Sequence, residues 1–179
     1  MMLFSMDSFP LLRHLSLNSS TCLGPLTTTP LPALTHLSIS CFTDPDRVPV
    51  SFFSSFPALE SLTIIRLPSP SLSYLLASLL DAPPTLVRFA TRSGLPDRLA
   101  NALPTTVTDL TFGLKRGSDL GVVMDRWFGR RRVEEVGTLR RVLLLRVTED
   151  ELVRDYAKGS EFLETLAQAR CDIKFIRVG

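Results

Sequence analysis

One pattern of apolar and polar positions recurs along the chain. Residues 9–17 read FPLLRHLSL, residues 31–39 read LPALTHLSI and residues 56–64 read FPALESLTI. Each phrase is an apolar residue, a proline, any residue, and then leucines spaced as LxxLxL. Weaker copies follow at 83–91 (PPTLVRFAT), 103–112 (LPTTVTDLTF, one residue longer), 137–144 (GTLRRVLL) and 170–175 (RCDIKF). The second apolar position of each phrase is Leu15, Leu37, Leu62, Phe89, Leu110, Val142 and Ile173, at intervals of 22, 25, 27, 21, 32 and 31 residues. Alternating apolar and polar side chains predict a short strand with one face buried and the other displayed. Pro10, Pro32, Pro57 and Pro84 each stand five residues before the key apolar position. A fixed φ there sets the direction in which the chain enters the strand, and the missing N–H removes no ladder bond. No single strand of this length buries enough on its own, so the repeats predict stacked units sharing one core.

The segments between phrases change character along the chain. Residues 18–30 and 40–49 are rich in Ser, Thr and Pro, which predicts extended or turn-like returns, with at most one helical turn at 51–56. Residues 71–81 (SLSYLLASLLD) place Leu72, Leu75, Leu76, Leu79 and Leu80 at helical spacing behind Ser71 as N-cap. Further helices are expected at 96–103, with Pro96 in the opening turn, and at 120–128. Thr148 and Glu151 form a capping-box pattern, so 149–169 reads as one kinked helix or two short ones broken near Gly159, followed by a last strand over 172–178.

These phrases resemble leucine-rich repeats, in particular the degenerate, variable-length repeats in the C-terminal parts of fungal F-box-like proteins, and most of the intervals fall in or near that family's window. The resemblance spans 9–178. It implies an α/β leucine-rich-repeat curved solenoid: a parallel β-sheet on the concave face, irregular or helical segments on the convex side, and a protein-binding role. In the F-box members it further implies delivery of a substrate to a ubiquitin ligase, which suggests the substrate-recognition part of an F-box-type ligase adaptor. Here the F-box, a longer helical module, does not fit into the residues preceding the first phrase. The position three residues beyond the last strand leucine, commonly Asn or Cys in such repeats, is Ser20, Phe42, Leu67 and Gly94, so no asparagine ladder is expected. Residues 1–8 read as a lead too short to cap the first strand. Either more chain precedes Met1 or a partner covers that edge. The expected organisation is a single repeat domain over 1–179, with repeats to 147 and a helical cap plus last strand over 148–179.

Composition narrows the function classes. The chain has 179 residues, 45% of them hydrophobic, with 20 Lys and Arg against 18 Asp and Glu, a net charge of +2 that marks no general polyanion binder. Cys22, Cys41 and Cys171 are odd in number and contain no CxxC pair, which argues against a disulfide framework or a zinc ribbon and favours a reducing cytoplasmic or nuclear setting. No apolar run reaches membrane-spanning length, so a soluble protein with no membrane partner is expected. None of the strings GxSxG, HExxH, GxxxxGK[ST] or GxGxxG occurs.

The displayed strand positions are the candidate partner-binding residues: His14, Ser16, His36, Ser38, Ser61, Thr63, Arg88, Asp109 and Arg141. On adjacent parallel strands about 4.8 Å apart, His14 and His36 stand side by side. Two histidines without a convergent carboxylate or a suitably spaced cysteine make a poor metal or general-base site, so neither catalysis nor a cofactor is expected. The alternative site is a basic patch, Arg126, Arg130, Arg131 and Arg132, continued by Arg140, Arg141 and Arg146 and flanked by Trp127 and Phe128. Such a segment would suit phosphate contacts and base stacking in a nucleic acid, or an acidic partner. A solvated turn with Glu134 and Glu135 partly neutralising it is the favoured reading of the same residues, and a protein of unnamed identity is the expected partner.

Overall fold

The structure is a computed structural model and describes residues 11–18, 30–41, 52–66, 75–79, 81–114, 120–128, 139–156 and 158–177. The chain divides into two compact units, 1–87 and 88–179. Both are built on parallel strands, and helices join the strands in the second, so the protein is α/β.

In the first unit, β1 (His14–Leu17), β2 (His36–Cys41) and β3 (Ser61–Arg66) lie in that order. Their register pairs the three phrases position by position: His14 with His36 and Ser61, Leu15 with Leu37 and Leu62, Ser16 with Ser38 and Thr63. Leu37 and Leu62 are 1% exposed and Ile39 and Ile64 fully buried, while Leu15 and Leu17 on β1 remain half-buried. The predicted helical turn over 51–56 is a short 3-10 helix, Phe52–Ser55. Residues 75–79 are helical, inside the stretch expected at 71–81. Ser71, Leu72 and Leu80 lie outside the described residues, as do the lead 1–8, Pro10, and most of the returns expected at 18–30 and 40–49.

The second unit carries β4 (Arg88–Thr91), β5 (Asp109–Gly113), β6 (Arg141–Leu145) and β7 (Asp172–Ile176), again parallel and in chain order. Phe89, Leu110, Val142 and Ile173 share one rung. The first three are at most 1% exposed, and Ile173 on β7 is half-buried. Between these strands run α1 (Asp97–Ala102), α2 (Gly121–Phe128), α3 (Glu149–Asp155) and α4 (Gly159–Gln168). Pro96 is the N-cap of α1 rather than a residue of its first turn. The stretch 149–169 is two helices, not one. The reversal between them falls on Lys158, whose φ is 63°, and not on the glycine beside it. Gly159 serves a different need: a Cβ there would stand 2.1 Å from the Leu152 carbonyl oxygen, so only glycine lets α4 start against the end of α3. The last strand ends at Ile176, and Val178 lies outside the described residues.

The proline of the phrase acquires a physical role in the turns. The N–H groups of Leu34, Leu59 and Leu86 donate to the carbonyls of Leu31, Phe56 and Pro83, three residues back. Pro32, Pro57 and Pro84 are therefore the second residues of four-residue turns, where φ near −65° is already required. The same bond joins Val107 to Pro104, so the longer phrase at 103–112 keeps the spacing from Val107 to Leu110, and its additional residue, Leu103, closes α1. A second backbone signature repeats at strand entrances. The carbonyl just before one strand accepts from two successive N–H groups of the next: Arg13 from Thr35 and His36, Thr35 from Glu60 and Ser61, Thr108 from Arg140 and Arg141. The recurrent pair locks adjacent phrases at a common height, which fixes which side chains become neighbours on the outward face.

Candidate functional site

Alternation along each strand sends Leu15, Leu37 and Leu62 inward and leaves the residues on either side of them displayed. On the first unit this outward surface is a depression of about 310 Å³ whose lining includes His14, Ser16, His36, Ser38, Ser61 and Thr63. The two imidazoles are stacked, with ring centroids 4.2 Å apart and planes within 6° of parallel. That spacing is close to the distance between neighbouring strands, so the ring normals run across the sheet from β1 towards β3.

Thr35 orients this pair. Its hydroxyl donates to the Arg13 carbonyl at 3.1 Å and lies 2.9 Å from Nδ1 of His36. A hydroxyl has one proton to give, and with that proton on Arg13 the Nδ1–H of His36 donates to Thr35 Oγ1. The plane of the ring is thereby held by a neighbour on its own strand segment. Sequence reasoning placed the histidines side by side but did not single out Thr35. The available signal was its position, a threonine directly before the strand, which recurs at Thr108.

The second unit displays a different surface. The row at the strand starts is Arg88, Asp109, Arg141 and Asp172, alternating in sign along the register. The Arg141 guanidinium lies 3.3 Å from Asp109 and 3.8 Å from Asp172, and Lys174 lies 3.8 Å from the same Asp172 carboxylate. Thr108 donates to the other oxygen of Asp109 at 2.8 Å. With the Arg141 side chain 59% exposed, water screens these pairs, and the row sets charge pattern more than stability. Directly before β7, burial pushes the Cys171 thiol up to about 11, assisted by the charges of Asp172 and Asp109.

The predicted sites thus fall into three groups. His14, Ser16, His36, Ser38, Ser61 and Thr63 come together on one unit, and Arg88, Asp109 and Arg141 share a row on the other. In the alternative basic patch, Arg130, Arg131 and Arg132 lie outside the described residues, and of Arg126 only the backbone, in α2, is described. Arg141, counted with that patch by sequence proximity, is engaged by Asp109 and Asp172. Among the described residues no three His, Cys, Asp or Glu side chains converge as a metal site would require. Among the described residues no helix is long and apolar enough to cross a membrane. Compared with protein-family models, with curated proteins and with solved structures, the chain matches none.

Proposed function

We propose that this protein is a non-catalytic interaction module of the leucine-rich-repeat type, whose displayed strand positions receive a protein partner. The observation that carries the reading is the phrase itself: its inward positions pair rung by rung and are buried on β2 and β3, while the residues between them stand in rows on the other face, exposed on β1 and half-buried on β2 and β3. Repetition of a buried leucine frame with changing outward residues is how stacked repeats separate stability from recognition. His14, Ser16, His36, Ser38, Ser61 and Thr63 form one recognition surface and Arg88, Asp109 and Arg141 another, each held by ladders that binding need not disturb. The resemblance to F-box-like repeat regions extends this reading to a partner that is a ubiquitylation substrate.

The test is a selection of displayed random peptides on the immobilised full chain, followed by affinity measurement with purified peptide. The expected result is a consensus whose affinity falls at least about tenfold, roughly 1.4 kcal/mol, when His36 and Ser38 or Asp109 and Arg141 are replaced by Ala. A consensus indifferent to both double substitutions, or no enrichment over a denatured control, would overturn the proposal.

A further inference from the structure

We infer that the depression beside His36 is a slot for one uncharged, planar aromatic side chain of the partner, stacked on the free face of His36 above Ser61. The inference rests on the interaction-module reading and specifies what this surface selects. It follows from an interrupted row. His14 and His36 stack along the direction in which the strands succeed one another. The next position in the register, directly beside His36 on β3, is Ser61. One face of the His36 ring is covered by His14, and the other looks over a side chain too small to meet it. The depression runs across all three strands, from His14 and Ser16 past His36 and Ser38 to Ser61 and Thr63, so the gap above Ser61 opens into it, and its volume of about 310 Å³ is at the small end of ligand-sized pockets, suited to a single side chain.

Three features choose the occupant. The stacked pair already stands at a separation favourable for offset rings, so a third ring continues an arrangement the protein has built. The His36 ring is held by Thr35 before anything binds, so little side-chain freedom is lost on docking. Among the described residues the lining contains no carboxylate, ammonium or guanidinium to compensate a buried ionic group, whereas the hydroxyls of Ser38, Ser61 and Thr63 can accept or donate to a polar ring substituent. An uncharged ring with a hydroxyl at its edge, as in tyrosine, satisfies all three.

The experiment is an NMR titration of the full chain with N-acetyl-tyrosinamide, N-acetyl-leucinamide and N-acetyl-aspartate as separate probes. The reporters are the ring protons of His36 and the methyl group of Thr63. The tyrosine probe is expected to shift both upfield and to bind about three- to tenfold more tightly than the leucine probe, the margin of an aromatic pair over equal apolar bulk. Ser61→Phe, which fills the gap from within, abolishes the response. His36→Leu, which keeps bulk and removes the plane, abolishes the tyrosine preference at Thr63 and serves if the first variant does not fold. Equal responses to tyrosine and leucine, a stronger response to aspartate, or a tyrosine response that persists in a folded Ser61→Phe protein would overturn the slot. A selected peptide that binds with Asp109 and Arg141 dependence but ignores Ser61→Phe would leave the module standing and remove only this inference.

Discussion

Truncating Leu37 to Ala separates the buried frame from the displayed row. Leu37 is 1% exposed and paired in register with Leu15 on one side and Leu62 on the other, with the buried Ile39 two residues on along the same face of its strand. Three carbons are removed, which at roughly 0.8 kcal/mol per methylene is about 2.4 kcal/mol of lost transfer free energy. Neighbours held by ladders on both sides collapse only partly into the space, and the residual cavity raises the cost to about 3–5 kcal/mol. The same substitution at Leu15 occupies the same place in the phrase on half-buried β1, so its cost should be about half. His36→Ala removes the stacking partner of His14 and one hydrogen bond at a half-buried position, together about 1 kcal/mol. Native-state amide exchange at residues 36–39 reads the stability of this unit directly. The ranking Leu37 above Leu15 above or near His36 is the expected outcome. Equal costs at Leu37 and His36, or at Leu37 and Leu15, would refute the assignment of inward and outward positions on which the proposed recognition surface depends.

Three further outcomes follow from local geometry. Gly159→Ala should destabilise the second unit by about 2 kcal/mol or more, because its Cβ meets a backbone oxygen that cannot step aside, whereas Lys158→Gly should be neutral or slightly stabilising by relieving a left-handed residue; urea melts compare the two. At the start of α3, Thr148 N–H donates to the Glu151 carboxylate at 2.8 Å and the Thr148 hydroxyl accepts from Glu151 N–H. The Thr148 N–H donated to the carboxylate, foremost, and the Thr148 side chain, next, hold the Glu151 carboxyl below its usual value against a smaller opposing effect of burial, with lesser help from Arg177 and Arg154. Because the folded value lies below the unfolded one, the stabilisation is present above the ordinary carboxylate range and is lost as pH falls through the folded value, so urea midpoints of wild type and Glu151→Gln should differ at pH 7 and converge in acid. Thr148→Ala should cost about 1 kcal/mol at pH 7. Cys171, buried and raised to about 11, should resist alkylation at pH 8 in the native chain and react once it is unfolded, a contrast that mass spectrometry of the tryptic peptide resolves. Rapid native labelling would show that its surroundings open.

The frame of the protein was legible in the residues because it rests on local periodicity. Alternation placed all seven key apolar positions in strands, from Leu15 to Ile173, and a capping box written as Thr148 and Glu151 located the start of α3. Proline spacing marked the turns, although it could not tell that the longer phrase begins its turn at Pro104, because the choice between Leu103 and Pro104 depends on where α1 ends. Similarly, Gly159 signalled a break between helices, but the left-handed residue is Lys158, since glycine was needed for close approach to the Leu152 carbonyl.

The surface was less legible. That His14 and His36 would be neighbours followed from the repeat. Their parallel rings, the proton assignment imposed by Thr35 and the gap above Ser61 did not, because each depends on side-chain torsions and on contacts between residues more than twenty positions apart. The alternating charges of Asp109, Arg141 and Asp172 likewise lie far apart in the chain and become a row only through register. Periodicity within a few residues decides which side of a strand faces the core. Only the stacking of one repeat on the next decides which displayed groups touch, and recognition depends on those contacts.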